Sequence, residues 1–297
     1  MQTHEPFSLK EVQSIPDFAL AAPQFLAASD GVQLAYYPFA NDDNTAITIL
    51  YAGAGLYGNK AYQWVAKTLN NDHNIGCYMV DLRGHGHSHG ERGDAPSIER
   101  VWQDVAEMVQ FVKQKHPDKP LYLVGHSSGA GMIINYAAQA AHHKEDGYIF
   151  LAPFFGPKSN TDKKHEHPDQ RFIKSVRPWI YVLAMMFPNS WFVHCKALFF
   201  NYSNELLQQD PLILPYYTFA MSCATTPYDI EHLLPKLKKP TSIYIGAQDE
   251  QFIPEAVIAY KNLIPAPAHV KIIPGAMHIS ILVNAPTLIA KSLQQNT

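Results

Sequence analysis

Cysteine is scarce in this sequence of 297 residues, where only Cys77, Cys195 and Cys223 occur. Three cysteines cannot all pair within one chain, and their wide spacing matches no CxxC pattern of a zinc or redox site. We therefore expect three reduced and mostly buried thiols, in a protein of a reducing compartment.

Charge of either sign is also sparse. Charged residues make up 16% of the chain, and 23 basic against 26 acidic side chains give a formal net charge of −3. The basic residues form no long stripe of the kind that neutralises nucleic-acid phosphates. This distribution argues against a nucleic-acid partner.

Long hydrophobic runs are missing as well. The longest uninterrupted apolar run covers 179–187, well below the roughly 18 residues that indicate a membrane span. Residues 1–18 lack the basic region followed by a hydrophobic one that a cleaved signal peptide has. We therefore predict a soluble, cytoplasmic protein, and peripheral contact with a membrane stays open.

Apolar residues, by contrast, are plentiful. Hydrophobic residues make up 47% of the chain and aromatic residues 12%, which supplies a sizeable core and excludes low-complexity disorder. The length exceeds the range of about 100 to 200 residues that is typical of one core. We expect one large domain, or a domain with an insert.

Short apolar runs rich in β-branched and aromatic residues recur along the chain and predict buried strands. These runs cover 46–51, 77–80, 121–124, 148–151, 242–245 and 270–273. Helical spacing of apolar residues predicts helices at 60–69, 98–112, 128–141, 254–263 and 286–293, with Pro96 in the first turn of the second one. A hairpin around Asp30 and Gly31 precedes this alternation. The pattern is typical of an α/β fold with a mostly parallel central sheet flanked by helices.

One segment interrupts the alternation of strands and helices. From 155 to 235 there are proline breaks, a polar stretch and then aromatic runs in a helical pattern. Of the 31 residues in 172–202, 21 are apolar, which is more than one exposed helix tolerates, so we expect an apolar surface to cover them. The chain therefore divides into a core, 1–154 and 236–297, and a helical insert at 155–235.

The run LYLVGHSSGAG contains Gly125, Ser127 and Gly129 as GxSxG between a predicted strand and a predicted helix. Small residues on both sides of the serine allow the sharp turn that raises its hydroxyl above the strand ends. This context predicts a nucleophile, whereas an isolated GxSxG would indicate only a glycine-rich turn.

A serine hydroxyl needs a base within hydrogen-bond reach and a third group that orients the base. Asp249 follows the strand at 242–245 and His278 follows the strand at 270–273, so both lie at the same edge of the sheet as Ser127. His269 precedes its strand and belongs to the opposite edge. Glu250 adjoins Asp249 and stays an alternative for the acid.

Catalysis by a serine also needs donors for the developing oxyanion, and backbone N–H groups in tight loops supply them. Ser128 follows the predicted nucleophile at the helix start. The loop YAGAGLYG at 51–58 follows a strand and contains three glycines, which let the backbone approach a substrate closely. We expect the amides of Ala54 and Ser128 to form the oxyanion hole.

With these residues in place, the chain resembles the α/β hydrolases from about residue 30 to 293. The sequence DLRGHGHSHGERG at 81–93 is similar to a loop, Asp-x-Arg-Gly-His-Gly-x-Ser, of the monoacylglycerol lipase and lysophospholipase branch. The resemblance implies an α/β-hydrolase fold, the triad Ser127, Asp249 and His278, and a mobile lid over the acyl pocket at 155–235. It also implies hydrolysis of a lipid ester such as a monoacylglycerol or lysophospholipid, without a cofactor.

Two positions depart from that pattern. The family usually has His-Gly at the start of the oxyanion loop, whereas this chain has Ala52-Gly53, so a contact that steadies the loop is missing. The residue after the nucleophile is Ser128, where Met is common. A noncatalytic binding protein therefore stays open as an alternative, as do thioesters, small esters and N-terminal peptide bonds as substrates.

Three histidines at alternate positions, His85, His87 and His89, raise the question of a metal site. The sequence offers no carboxylate or further histidine at a matching spacing, and the family loop accounts for the same residues. We therefore predict no metal ion, and structural roles for Asp81 and Arg83.

Overall fold

A computed structural model of the protein describes residues 15–139, 144–167 and 170–295. Most of the leader region considered above, residues 1–14, lies outside the described residues. The last two residues of the helix predicted at 128–141 lie outside them too.

Within the described residues, eight strands form one central sheet: β1 (Gln24–Ala27), β2 (Gln33–Phe39), β3 (Ala46–Tyr51), β4 (Ile75–Val80), β5 (Leu121–His126), β6 (Gly147–Leu151), β10 (Thr241–Gly246) and β11 (Ala268–Ile273). Their spatial order is β1-β2-β4-β3-β5-β6-β10-β11. The strand β2 runs antiparallel to β1 and β4, and the neighbours from β4 to β11 are parallel. The predicted mostly parallel sheet is confirmed, and all six predicted strands belong to it.

Helices cover both faces of this sheet. They are α1 (Lys60–His73), α2 (Ile98–Lys115), α3 (Ser128–Gln139), α8 (Pro254–Ala259) and α9 (Ile281–Gln295), and a 3₁₀ turn at Tyr260–Leu263 continues α8. One buried cluster contains Val105 of α2 and Ile133 of α3, and a second contains Val65 of α1 and Ile289 of α9. Burial of these two layers of apolar side chains is the main driving force for the fold.

Two prolines lie differently in the observed helices from what the sequence predicted. Pro96 lies before α2 rather than in its first turn, because Ser97 is the N-cap and its hydroxyl accepts a hydrogen bond from the Arg100 amide. The helix α9 begins at Ile281, five residues before the predicted start, and contains Pro286 in its interior. A proline there removes one backbone hydrogen bond, and the buried side chains on both sides of it keep the helix intact.

The segment 155–235 contains a small sheet in addition to helices, which the sequence prediction of a helical insert missed. Its strands β7 (Ile173–Val176), β8 (Lys196–Phe200) and β9 (Tyr216–Thr218) are antiparallel. Its helices are α4 (Pro178–Met186), α5 (Asn204–Gln209), α6 (Phe219–Thr225) and α7 (Ile230–Leu233), with 3₁₀ turns at Trp191–His194 and Leu234–Lys236. The strands are short and both pairings contain register shifts, so no regular alternation marks them in the sequence.

The aromatic run of this segment is only partly covered. Phe200 is buried, whereas Trp179 and Trp191 are 54% and 66% exposed. Within the described residues, this chain itself therefore covers only part of the run for which an apolar cover was expected. On its inner side the segment is attached to the core through α6, because the Trp102 indole and the Asn135 amide both donate hydrogen bonds to the Ala224 carbonyl.

Candidate active site

Ser127 occupies a sharp turn between β5 and α3. Its φ is +53°, a left-handed conformation that a residue with a side chain adopts only under strain. A β-carbon on Gly125 would lie 2.5 Å from the Ala130 nitrogen, and one on Gly129 would lie 2.5 Å from the Ala52 oxygen. Both glycines of GxSxG are therefore required by close backbone approach, which is the geometry of a nucleophile elbow.

The structure brings the three predicted triad residues together. The Nε2 atom of His278 lies 3.0 Å from the Ser127 hydroxyl, and its Nδ1 atom lies 2.9 Å from a carboxylate oxygen of Asp249. Exposure is 7% for Ser127, 1% for His278 and 0% for Asp249. A serine, a histidine and a carboxylate connected in this order can act as nucleophile, base and orienting group.

The two alternatives for the triad lie elsewhere. The Glu250 carboxylate accepts a hydrogen bond from the backbone N–H of His278 at 2.8 Å, so it supports the loop of the base, whereas Asp249 contacts the Nδ1 atom that the acid of a triad must bind. His269 is the second residue of β11 and is exposed, at the edge of the sheet opposite Ser127. Of the histidines that follow Asp249, only His278 reaches the serine.

Burial and the neighbouring charges shift the pKa of His278 in opposite directions. Burial by itself would lower the pKa of His278, but the charge and hydrogen bond of Asp249, with a further contribution from Glu250, raise the pKa above its ordinary value of 6.5. Burial would raise the pKa of Asp249, but His278 and the amides of Phe252 and Gln251 hold it below 3.8. The aspartate is therefore ionised at neutral pH and can stabilise a positively charged His278.

Ala54 and Ser128, the two predicted oxyanion donors, line the same cavity as Ser127 and His278. At the start of this loop, where Ala52 stands in place of the histidine expected from the family resemblance, a tyrosine contacts the backbone. The Tyr62 hydroxyl accepts a hydrogen bond from the Gly53 amide at 3.0 Å, and it lies 2.7 Å from Nδ1 of His126. The loop is therefore anchored to α1 even though Ala52 has no polar side chain.

The loop 81–93 makes structural contacts next to the site. The Asp81 carboxylate accepts hydrogen bonds from the amides of Gly58 and His87 and from the Tyr37 hydroxyl, while Arg83 pairs with Asp104. Asp81 and Arg83 therefore have the structural contacts predicted for them.

The three histidines of this loop have separate partners. His85 contacts the Tyr217 hydroxyl, His87 the Tyr37 hydroxyl and His89 the Phe25 ring. Across the parts of the chain that the structure describes, no cluster of three His, Cys, Asp or Glu side chains suits a metal ion.

A cavity of about 330 Å³ opens beside Ser127. Its walls are mainly aromatic and aliphatic side chains of the insert and of the loops after β6 and β10: Phe154, Phe172, Ile173, Leu198, Phe200 and Phe252. Polar residues that also line the cavity are Asp162, Lys163, His165, Arg171 and Gln251. A cavity of this size and apolar character suits a small apolar or single-chain ligand.

Sequence reasoning missed several residues of this site. His126 directly precedes the serine in GHSSG, so the motif itself could have drawn attention to it. Tyr62 and Tyr217 carry no such signal, because the hydrogen bond between Tyr217 and Gly55 joins residues 162 positions apart. A tyrosine in an aromatic-rich segment cannot be distinguished from a core residue by pattern alone.

Comparison with known protein families gives one match that covers most of the chain. The profile of the family described as "Serine aminopeptidase, S33" matches residues 42–282. This range includes Ala54, Ser127, Asp249 and His278.

Curated relatives are similar over part of their length. The monoacylglycerol lipase of Mycolicibacterium smegmatis is 30% identical over 118 residues, which is 38% of this chain and 40% of that protein. The monoglyceride lipase of Homo sapiens is 26% identical over 212 residues, which is 69% of this chain and 65% of that protein. The chain thus covers less than two-thirds of each of these relatives.

Solved structures extend the similarity in fold to nearly the whole chain. A soluble variant of monoglyceride lipase from Saccharomyces cerevisiae in complex with a substrate analogue superposes with a TM-score of 0.72, at 18% identity and 99% coverage of both chains. The monoacylglycerol lipase of Paleococcus ferrophilus has a TM-score of 0.65, at 18% identity, with 89% of this chain and 99% of that chain covered. At this level of identity the two structures establish the α/β-hydrolase fold and no more than the fold.

Proposed function

Because the chain belongs to the serine aminopeptidase S33 family of α/β hydrolases, we propose that it is a serine hydrolase of acyl esters, with a single-chain lipid ester as its substrate. The observation that carries this proposal is the connected series Ser127–His278–Asp249 at the wall of an apolar cavity. The monoglyceride lipases among its relatives support the same substrate class.

In the first step, His278 removes the proton of the Ser127 hydroxyl while the serine oxygen attacks the ester carbonyl. The bond to the carbonyl oxygen loses its double-bond character, and the oxyanion accepts hydrogen bonds from the amides of Ala54 and Ser128. His278 then gives the proton to the leaving alcohol, which departs and leaves an acyl-enzyme. A water molecule, deprotonated by His278, then attacks the acyl carbon, the bond to the Ser127 oxygen breaks, and His278 returns the proton to Ser127 as the fatty acid leaves.

Asp249 has two roles in this cycle. Its hydrogen bond fixes the proton of His278 on Nδ1, so that Nε2 faces Ser127 as the acceptor. Its charge stabilises the imidazolium that forms after proton transfer. The triad and the two amides supply nucleophile, base and electrostatic stabilisation, so the proposed reaction requires no metal or cofactor.

The insert supplies much of the proposed acyl pocket. Phe172, Leu198 and Phe200 of the segment 155–235 line the cavity next to the triad, and the Phe172 and Phe200 rings stack at 5.0 Å between centroids. An alkyl chain bound there would leave water for these apolar walls, which is favourable. We therefore propose that this segment is the lid of the hydrolase.

We further propose that the lid meets a lipid surface. Its exposed apolar face consists of Trp179, Val182, Met185, Met186, Phe187 and Trp191. Residues 172–202, which contain this face, include Lys174, Arg177 and Lys196 but no aspartate or glutamate. Apolar side chains flanked by basic ones favour an anionic membrane surface.

This mode of binding would be peripheral. Across the described residues, no helix combines the length and the apolar character that a membrane crossing requires. The three cysteines form no disulfide, which is compatible with the predicted cytoplasmic location.

Labelling with a fluorophosphonate, followed by peptide mapping, tests the proposal because this reagent reacts with activated serines. We expect the label on the peptide that contains Ser127 and no label on the Ser127→Ala variant. A folded wild-type protein that resists labelling would instead favour the noncatalytic binding protein.

A series of p-nitrophenyl esters tests the substrate class. If the apolar cavity holds the acyl chain, kcat/KM rises from acetate toward medium and long chains. A steady fall beyond acetate would favour small esters and contradict a lipid substrate.

A further inference from the structure

Three consecutive residues of the loop after β3 are each held by a tyrosine hydroxyl. The Gly53 amide donates to Tyr62 at 3.0 Å and the Gly55 amide donates to Tyr217 at 2.7 Å. Between them, the Ala54 carbonyl accepts a hydrogen bond from the Tyr202 hydroxyl. Ala54 carries the amide assigned to the oxyanion under the proposed function, so these contacts fix the backbone on both sides of that donor.

The direction of the hydrogen bond at Tyr217 follows from its histidine partner. Burial lowers the pKa of His85 to about 4, so the ring is neutral at physiological pH. Its Nδ1 atom lies 2.9 Å from the Arg83 carbonyl, which can only accept, so Nδ1 carries the proton. Its Nε2 atom, 2.8 Å from the Tyr217 hydroxyl, is therefore an acceptor, and Tyr217 donates to it.

With its proton committed to His85, the Tyr217 oxygen is free to accept. It accepts the Gly55 N–H and also interacts with the Ser128 side chain. Tyr217 thus contacts both the backbone of Gly55 and the side chain of Ser128, the residue whose amide is the second proposed oxyanion donor. The hydrogen bonds of such a series polarise one another, which strengthens each of them.

The same arrangement occurs on the core side of the loop. Burial, with a contribution from His278, lowers the pKa of His126 to about 3. Its Nε2 atom lies 2.9 Å from the His278 carbonyl, so Nε2 carries the proton and Nδ1 accepts from Tyr62. Two neutral histidines therefore fix the hydroxyls of two tyrosines, and each tyrosine receives one amide of the loop.

The insert also encloses the loop sterically. Gly55 has a φ of +70°, and a β-carbon on it would lie 2.2 Å from the Leu214 carbonyl. The Leu214 amide donates to the Gly55 carbonyl at 2.9 Å. Glycine at this position has wide conformational freedom, so the direction of the neighbouring Ala54 amide depends on what holds Gly55 in place.

We propose that Tyr217 is a positioning residue for catalysis: it holds Gly55 so that the Ala54 amide points at the developing oxyanion, and it thereby makes the insert a part of the catalytic machinery. Tyr62 does the same from the core, in place of the histidine that is absent at Ala52. Tyr202 adds a third contact from the insert. This inference rests on the proposed function, because it presumes that Ala54 is an oxyanion donor.

The variant Tyr217→Phe tests the inference, since it removes one hydroxyl and leaves the ring. Loss of an oxyanion donor typically costs about 100- to 1000-fold in rate, and a donor that is only misdirected costs less. We expect kcat on a p-nitrophenyl ester to fall about 10-fold or more, with KM changed by less than about twofold.

Tyr181→Phe is the matched control. The Tyr181 hydroxyl bonds to Ser222 at 2.8 Å, which is a contact inside the insert and away from the loop. Its removal should leave kcat and KM within about twofold of the wild type. An equal loss of kcat in both variants would mean that any lost hydroxyl in the insert disturbs activity, and it would refute the specific role of Tyr217.

A pair of inhibitors separates positioning from general damage. An alkyl trifluoromethyl ketone forms an adduct with the serine and places an oxyanion in the hole, whereas the corresponding long-chain alcohol occupies only the acyl pocket. We expect Tyr217→Phe to weaken the ketone about 10-fold and to leave the alcohol unchanged. Equal weakening of both inhibitors would overturn the inference.

Two further outcomes are distinguishable. If Tyr217→Phe does not fold, Tyr202→Phe replaces it, with the same expected separation of ketone and alcohol binding. If the wild-type protein itself neither hydrolyses esters nor takes the fluorophosphonate label, the proposed function fails and the inference fails with it. If the wild type is active and the kinetics of Tyr217→Phe and Tyr202→Phe are unchanged, the inference is refuted while the proposed function stands.

Discussion

Arg83 donates two hydrogen bonds to the Asp104 carboxylate, from Nε at 2.6 Å and from Nη2 at 2.8 Å. The two side chains are 2% and 5% exposed, and the pair ties the loop after β4 to the helix α2. Asp30 adds a second carboxylate at 3.0 Å from Arg83. The loop that supports the candidate site is thus held in part by a largely buried ion network.

Removing Arg83 should therefore destabilise the protein. Loss of one partner of a buried ion pair leaves an uncompensated charge and typically costs about 3 to 5 kcal/mol. Because Arg100 still contacts Asp104 at 2.7 Å, we expect Arg83→Met to lower the free energy of unfolding by about 3 kcal/mol, at the low end of that range. Urea denaturation measures this free energy.

Lys113→Met is the control, because it breaks the more exposed Lys113–Asp146 pair. It should lower the free energy of unfolding by less than about 1 kcal/mol. Similar losses in Arg83→Met and Lys113→Met would contradict a special structural role of the Arg83–Asp104 pair.

The strained turn at Ser127 gives a prediction about stability. Both Ser127→Ala and Ser127→Gly remove the hydroxyl, but only glycine adopts the φ of +53° without steric cost. We expect Ser127→Gly to be more stable than Ser127→Ala by about 1 kcal/mol, because residual strain of this kind amounts to about 1 to 3 kcal/mol and glycine loses part of it in entropy. Thermal and urea unfolding of the two inactive variants provide the comparison. An alanine variant as stable as the glycine variant would mean that the turn stores no strain.

Much of the core could be predicted from the sequence because its strands are buried on both faces. The strand at 46–51 is buried on both faces, so its residues are mostly apolar without alternation, and the sequence shows this without any knowledge of neighbouring strands. The positions of Ser127, Asp249 and His278 follow from the same strands, since the carboxyl ends of parallel strands share one edge.

The insert could not be predicted in the same way. All four residues of β7 are exposed, so this strand buries no face and leaves no alternation of polar and apolar residues. The contact of Tyr217 with Gly55 depends on how a late segment folds back over an early loop, and no local spacing encodes such a contact. The helical interpretation of 155–235 failed for β7 because that strand buries no face, and it failed for β8 and β9 because both are short and their pairing contains a register shift.

The pH dependence of catalysis should reflect the raised pKa of His278. The base must be neutral, so activity is lost as the pH falls through the pKa of the folded protein. Asp249 and Glu250 raise this pKa above 6.5, so we expect the acid limb of kcat/KM to have its midpoint above pH 6.5. The same shift implies that His278 contributes stability that is full below pH 6.5 and is lost as the pH rises through the raised pKa.

Asp249→Asn should reverse this shift, because only burial and Glu250 would then act on the ring. We expect the pKa of His278, followed by NMR of the imidazole proton, to be lower in this variant than in the wild type. An acid limb at or below pH 6.5 in the wild type, or an unchanged His278 titration in Asp249→Asn, would contradict the proposed electrostatics.

His126 connects the loop of the proposed base with the oxyanion loop, through the His278 carbonyl and the Tyr62 hydroxyl. His126→Phe removes this partner from the His278 carbonyl and from the Tyr62 hydroxyl, and each lost buried hydrogen bond costs about 0.5 to 1.5 kcal/mol. We expect a clear loss of stability together with a fall in kcat. His269→Ala, at the exposed start of β11, should change neither quantity, and a comparable loss of activity there would overturn the choice of His278 as the base.

The exposed apolar face of the lid predicts a separation between lipid-bound and dissolved substrates. Trp179 and Met186 are 54% and 63% exposed, and neither lines the cavity beside Ser127. We expect the double variant Trp179→Ser and Met186→Ser to bind vesicles of phosphatidylcholine and phosphatidylglycerol at least about 10-fold more weakly, because serine buries little apolar area in the lipid. Hydrolysis of dissolved p-nitrophenyl butyrate should stay unchanged. Leu20→Ser, at 53% exposure outside the lid, is the control, and an equal loss of vesicle binding in that variant would show that the lid face has no special role.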